Sequence, residues 1–178
     1  MFEDQRLLNR LHAGEKDALR LIYEKYIDDL LRVAMSLLSD IQYAEDCLHD
    51  VFVDFAATVN VSMIRRNLRS YLVSCVANRA RDQLRRQTRE STSQKDRVCN
   101  PSITADPLRR LVEAEESVRI LGALAKLPYQ HREVFVLRAQ GQMRFREIAD
   151  LLDLSVNSVQ SRYRYAIDKL RLILNEEC

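Results

Sequence analysis

Residues Met143–Leu170, "MRFREIADLLDLSVNSVQSRYRYAIDKL", read as two helices with almost nothing between them. Ile148, Leu151 and Leu152 make one apolar face, and Ala149 is small enough to let a second helix cross closely. Asp153 and Leu154 form the turn, and Ser155 is a good N-cap for the second helix. Val156, Val159, Tyr163, Ile167 and Leu170 then recur at helical spacing. At about 100° per residue, Asn157, Ser158, Ser161, Arg164 and Tyr165 point away from that stripe, with Gln160 on its flank. A core alone does not ask for a break here. A break that tilts the second helix steeply and leaves its front polar suits a helix that enters a DNA major groove. That front carries no acid before Asp168. Arg144 and Arg146 stand at the start of the supporting helix, where phosphates would lie.

Working outward, helix is expected throughout. Three Gly, three Pro and no Trp accompany 47% apolar residues, so few breakers interrupt a chain that can bury a core. No segment alternates long enough to predict a strand. The fold class expected is all-α. The four cysteines, Cys47, Cys75, Cys99 and Cys178, lack metal-clip spacing and read as reduced thiols. No metal or cofactor is expected. No signal peptide and no membrane-length apolar run is visible, and a cytoplasmic protein without membrane insertion is expected.

The net charge of +2 hides an asymmetry. Residues 1–59 hold 12 acids against 6 bases, residues 60–100 hold 10 bases against 3 acids, and the remainder is near balance. An acidic block followed by a basic one suggests two partners of different character, the second rich in phosphate. Arginine supplies most of the positive charge, which suits planar bidentate contacts.

Periodicity predicts a short helix at Leu7–Ala13 closed by Gly14, then a long one capped by Asp17 and stopped at Ser39 and Asp40. The next places Ala44, Leu48, Val51, Phe52, Phe55 and Val59 on one face. After the break "NVSMIRRN", a further helix runs from about Leu68 to Arg89. Residues 90–107 are polar, hold two prolines and read as a flexible linker with a root-mean-square span of roughly 20–25 Å. This division predicts two small helical domains, residues 1–89 and 108–178, the second containing the helix–turn–helix. In the second, Pro128 fits a first helical turn and Gly141 closes that helix.

Three segments carry a resemblance. "LPYQHREVFVLRAQGQMRFREIADLLDLSVNSVQSRYRYAIDKL" resembles region 4 of bacterial sigma factors. "AEDCLHDVFVDF" resembles the region 2.2 helix of the small extracytoplasmic-function (ECF) sigma factors, and "LRSYLVSCVANRARDQLRR" resembles their region 2.3–2.4 helix. The order and spacing agree, and the resemblance covers nearly everything outside residues 90–107.

The resemblance implies a non-enzymatic factor that gives RNA polymerase its promoter specificity. It implies core polymerase binding by Asp46, His49 and Asp50. It implies melting and reading of the minus-ten element by Arg65, Arg66, Asn67, Arg69, Tyr71, Asn78, Arg79, Arg85 and Arg86. An irregular loop before a basic helix can hold an unstacked base, on which Arg and Tyr stack. Arg144, Arg146, Asn157, Ser158, Gln160, Ser161, Arg164 and Tyr165 would serve the minus-thirty-five element. Control by an anti-sigma factor is implied as well. The sequence departs from the family pattern at Tyr71 (usually Trp), His49 (usually Gln), Asp153 (often Gly) and Gln160 (usually basic). Two rival readings stand beside it: a dimeric helix–turn–helix regulator that ignores polymerase, and a metal-dependent nuclease using Asp46, Asp50 and Asp54.

Overall fold

A computed structural model describes residues 2–58, 64, 67–91 and 115–176. Among these, all regular structure is α-helical: α1 (Phe2–His12), α2 (Lys16–Leu38), α3 (Ile41–Thr58), α4 (Leu68–Ser91), α5 (Glu115–Ala125), α6 (Tyr129–Ala139), α7 (Phe145–Leu152) and α8 (Val156–Glu176). No helix among the described residues is long and apolar enough to cross a membrane. The expected linker, apart from its first two residues, lies outside the described residues.

α2 is the spine of the first set, with α1, α3 and α4 packed around it. α1 begins earlier than its apolar periodicity predicts. Asp4 holds it to α2, accepting hydrogen bonds from Lys25 (2.9 Å) and the Tyr26 hydroxyl (2.7 Å), a tie across more than twenty residues. Gly14 ends it with φ +84°, as a left-handed cap requires. Asp17 does not cap α2: Glu15 is the cap residue, and Asp17 lies in the first turn, where the helix dipole favours an acid. Ser39 closes α2 in the left-handed conformation, and Asp40 Oδ1 caps α3 by accepting the Tyr43 N–H at 3.1 Å. α3 buries Ala44, Leu48, Val51, Phe52 and Phe55 as its pattern predicts, with Cys47 buried beside them, while Val59 lies outside the described residues. Burial pushes the Cys47 thiol up to about 12, so it is an inert core group.

In the second set, α6 and α7 pack against α8. Pro128 is the N-cap of α6 rather than its first residue, and its carbonyl accepts the N–H groups of His131 and Arg132. Gly141 follows α6 as expected, but for a different reason than a left-handed cap: the positive φ there belongs to Gln142. A Cβ on Gly141 would lie 2.6 Å from the Leu137 carbonyl oxygen of α6 itself and 2.9 Å from Val73 on α4. The two sets therefore touch. α6 packs on both α2 and α4, α5 packs on α2, and one apolar core runs through both sets. Each fully buried leucine in that core, such as Leu31, Leu72 or Leu137, contributes about 1.5–3 kcal/mol.

Candidate nucleic-acid interface

The turn between α7 and α8 is built as the sequence implies. Asp153 takes φ 53°, ψ 52°, a left-handed conformation that Asp tolerates better than most residues. The Leu154 N–H bonds back to the Ala149 carbonyl at 3.0 Å, closing α7. Ser155 Oγ accepts the Ser158 N–H at 3.0 Å and caps α8. Ser158 Oγ lies 2.8 Å from the same atom, so Ser158 belongs to the cap and is half-buried. The packed side of α8 is Val159, Ala166, Leu170 and Ile173. Val156, expected in that stripe, is 38% exposed, and Ala166, outside the expected stripe, is buried. Tyr163 stacks on Phe135 and meets Phe145 edge-on.

Asn157, Gln160, Ser161, Arg164 and Tyr165 are exposed along the front of α8, and Arg144 and Arg146 are exposed at the start of α7. The Arg144 N–H is held by Glu147 at 2.8 Å, which fixes the first turn of α7 and the origin of both arginines. Tyr165 leans on His131 of α6, ring centroids 4.3 Å apart. The Nδ1 of His131 is buried without a hydrogen-bond partner. Burial, and secondarily Arg162, hold the His131 pKa below the ordinary value.

Asp46 and His49 are exposed on α3. Asp50 is not free: Arg79 of α4 donates to its Oδ2 through Nε at 3.0 Å and also through Nη2, while His49 Nδ1 lies 3.9 Å from Oδ1. These residues line a shallow cavity of about 220 Å³ with Tyr43 and Gln83. Val53, 52% exposed and two helical turns beyond Asp46, extends the face with an apolar side chain that sequence reasoning missed. Its signal was present: a valine at the i+7 position of an otherwise polar stripe.

Arg65 and Arg66 lie outside the described residues. Asn67 Oδ1 accepts the Arg69 N–H at 3.0 Å and caps α4. On α4, Tyr71, Cys75, Asn78, Asp82 and Arg85 fall on one helical stripe, with Arg86 beside it; the stripe is half-buried at Tyr71 and Cys75 and more open from Asn78 on. Tyr71 packs 6.1 Å from Phe55, and burial, reinforced by Cys75, raises its pKa. Asn78 accepts from Arg81 at 3.2 Å, and Arg85 pairs weakly with Asp82 at 4.0 Å. Arg69 is engaged elsewhere, on Asp29 and on the backbone after α6. Asn67 also meets Arg144 and Arg146 across a cleft of about 820 Å³ between the two sets.

Comparison with known proteins agrees at both ends. The sigma-70 region 2 profile matches residues 22–90, and the sigma-70, region 4 profile matches residues 117–170. The ECF RNA polymerase sigma factor SigW of Bacillus subtilis is 24% identical over 178 residues, with 95% of each chain covered. The ECF RNA polymerase sigma factor SigK of Mycobacterium ulcerans is 21% identical, over 95% of this chain and 92% of that one. Among solved structures, CnrH in complex with the cytosolic domain of CnrY superposes with a TM-score of 0.68 at 24% identity, covering 98% and 99% of the two chains. Sigma factor RpoE of Bartonella quintana, solved with the anti-sigma factor NepR, gives 0.66 at 22% identity, covering 86% of this chain and 96% of that one. With region 2 on the helices that carry the acidic and basic faces, and region 4 on the helix–turn–helix, the chain belongs to the sigma-70 family of RNA polymerase sigma factors, in its extracytoplasmic-function group.

Proposed function

We propose that this sigma factor binds core RNA polymerase through the exposed face of α3. Asp46, His49 and Asp50 supply polar contacts and Val53 an apolar one. Residues 1–89 then act as the polymerase-binding and minus-ten unit, residues 108–178 as the minus-thirty-five unit, and residues 90–107 as the tether. In the first unit Arg65, Arg66, Asn67, Arg69 and Tyr71 receive unstacked bases. Asn78, Arg79, Arg85 and Arg86 follow the strand along α4, with the arginines on phosphates. In the second, Arg144 and Arg146 hold phosphates. Asn157, Gln160, Ser161, Arg164 and Tyr165 read base edges, and Ser158 positions the helix. The chain contributes binding, and the polymerase contributes the chemistry.

The carrying observation is the corner at Asp153–Ser155, which fixes α8 with its polar front outward and its apolar back packed. The matched structures of CnrH and RpoE hold partner chains, CnrY and NepR. An anti-sigma partner is proposed for this chain by the same logic, and the cytoplasm, where polymerase and promoter DNA meet, as its location. The test is run-off transcription with purified core polymerase on a promoter library. Specific transcripts that depend on the added chain support the reading. Core enzyme that transcribes identically with and without it overturns the reading.

A further inference from the structure

Tyr165, on the front of α8, is 47% exposed. Ser161 stands four residues before it, on the same side of the helix. A tyrosine at such a place has two free side-chain angles and, left alone, turns among several rotamers. Here the ring is not left alone. It lies against His131 of α6, with centroids 4.3 Å apart and planes tilted by 40°. The imidazole is itself held in place. His131 belongs to the first turn of α6, where its backbone N–H donates to the Pro128 carbonyl at 2.9 Å. Its Nδ1 is buried, and Arg162, three residues before Tyr165 on α8, lies near enough for its charge to act on the imidazole. One turn along α6 from His131, Phe135 stacks on Tyr163 of α8, ring centroids 5.9 Å apart. So α6 grips α8 at two points, and the wall at His131 has a fixed place relative to the front of α8.

We infer that His131 is a positioning residue for upstream reading: it holds the Tyr165 ring in one orientation on the front of α8 and does not touch the bases itself. This rests on the promoter reading above. A side chain that is already ordered gives up less freedom when it binds, and the difference appears as affinity for the sequence it fits. Tyrosine suits that use, because two angles fix a large rigid ring whose edge offers apolar contact and whose hydroxyl offers a hydrogen bond. α6 lies outside the helix–turn–helix pair α7 and α8, so part of the sequence preference is set by a helix that carries no reader. At a rise of about 1.5 Å per residue, Tyr165 lies roughly 6 Å further along α8 than Ser161. Base pairs are spaced by about 3.4 Å, so the base pair that Tyr165 governs is not the one under Ser161.

The test is a binding-site selection with holoenzyme reconstituted from core polymerase and the full chain, followed by affinities for the selected site and its single-base variants. Tyr165→Ala should lose discrimination at one or two upstream base pairs by about tenfold. His131→Ala should relax the same positions by about three- to tenfold. The double variant should be no worse than Tyr165→Ala, because His131 acts only through that ring. His131→Phe, which keeps a flat ring in place, should restore most of the discrimination that alanine removes. A merely structural role for His131 would lower the unfolding temperature and the affinity for all sequences alike, with the preferred sequence intact, and that result overturns the inference. So does a loss at base pairs other than those of Tyr165→Ala, or a double variant in which the two losses multiply. A His131→Phe protein as impaired as His131→Ala also overturns it, because an imidazole nitrogen would then be the contact. Wild-type holoenzyme that selects no upstream sequence overturns the promoter reading and the positioning role with it. A selected sequence that His131→Ala leaves unchanged overturns the positioning role alone.

Discussion

Arg79 Nε on α4 lies 3.0 Å from Asp50 Oδ2 on α3, so a residue proposed to touch DNA and one proposed to touch polymerase are each other's partner. Asp50 raises the Arg79 pKa further, through the hydrogen bond first and its charge second. Both side chains are more than a third exposed, so the pair itself contributes only about 0.5–1 kcal/mol. Its interest lies in the competition it sets up.

From that competition comes the first expectation. Asp46 is exposed, and Asp46→Arg should weaken holoenzyme formation by about 1–3 kcal/mol through like-charge contact with a basic partner. Asp50→Ala should cost less, because the wild-type contact already requires separating Asp50 from Arg79. Reversing both carboxylates should add to several kcal/mol while helicity survives, since both carboxylates stand at the surface. Co-purification with core polymerase and circular dichroism check it. Undiminished binding by the double reversal would move the polymerase contact off α3.

The second expectation separates the loop arginines from Asn67. Asn67 caps α4 through the Arg69 N–H, so Asn67→Ala should lower thermal stability by about 1 kcal/mol besides any effect on DNA. Arg65→Ala with Arg66→Ala should leave melting temperature and polymerase binding unchanged and still impair opening of the minus-ten element. Permanganate footprinting reads this directly. Wild-type thymine reactivity in the arginine pair would place strand capture elsewhere on region 2.

His131 supplies a pH dependence. Its folded pKa is lowered below 6.5, first by burial and then by Arg162, so the folded state binds fewer protons than the unfolded chain in that window. The contribution is therefore present above pH 6.5 and is lost as pH falls through the lowered folded value. The imidazolium would also bury a second N–H at Nδ1, which has no acceptor. Thermal unfolding followed from pH 7.5 to pH 5 should show stability falling below about pH 6.5, and His131→Phe should flatten that segment while keeping a tilted ring contact with Tyr165. An unchanged slope in the variant would show that other groups carry the acid sensitivity.

Much of this architecture is legible in the chain. The caps at Ser155 and Gly14, the turn at Asp153 and the apolar faces of α3 and α8 are local features, written in residue types at fixed spacing. The long-range contacts are not. Nothing in the periodicity of "HREVFVLRA" tells which arginine Glu133 will find, so the partners of Arg69, Arg79 and Arg81 are invisible until the helices are packed. Gly141 reads as a helix stop because Gly usually is one; a Cβ there would crowd the Leu137 carbonyl of its own helix, which is local, and Val73 of another helix, which no local pattern shows. Val156 looks like core by spacing, yet at the first turn of α8 no neighbour covers it fully, while Ala166, too small to register as a stripe residue, is buried almost three turns further on.

The last expectation concerns the front of α8. Gln160, Ser161 and Arg164 are exposed there, whereas Ser158 is engaged with Ser155 in the cap. An Arg bidentate to guanine, or a Gln bidentate to adenine, gives about 1–3 kcal/mol of discrimination. Arg144 and Arg146, at the start of α7, should touch phosphates and hold register without reading sequence. The classes should therefore part in a binding-site selection repeated at two salt concentrations. Arg164→Ala or Gln160→Ala should relax preference at one or two upstream base pairs. Arg144→Ala should weaken binding to all sequences alike and reduce the log–log salt slope by about one. Ser158→Ala should lower stability slightly and leave the preferred sequence intact. If Arg164→Ala and Gln160→Ala both keep the wild-type preference, α8 enters the groove in another register, with Asn157 and Ser161 as the readers.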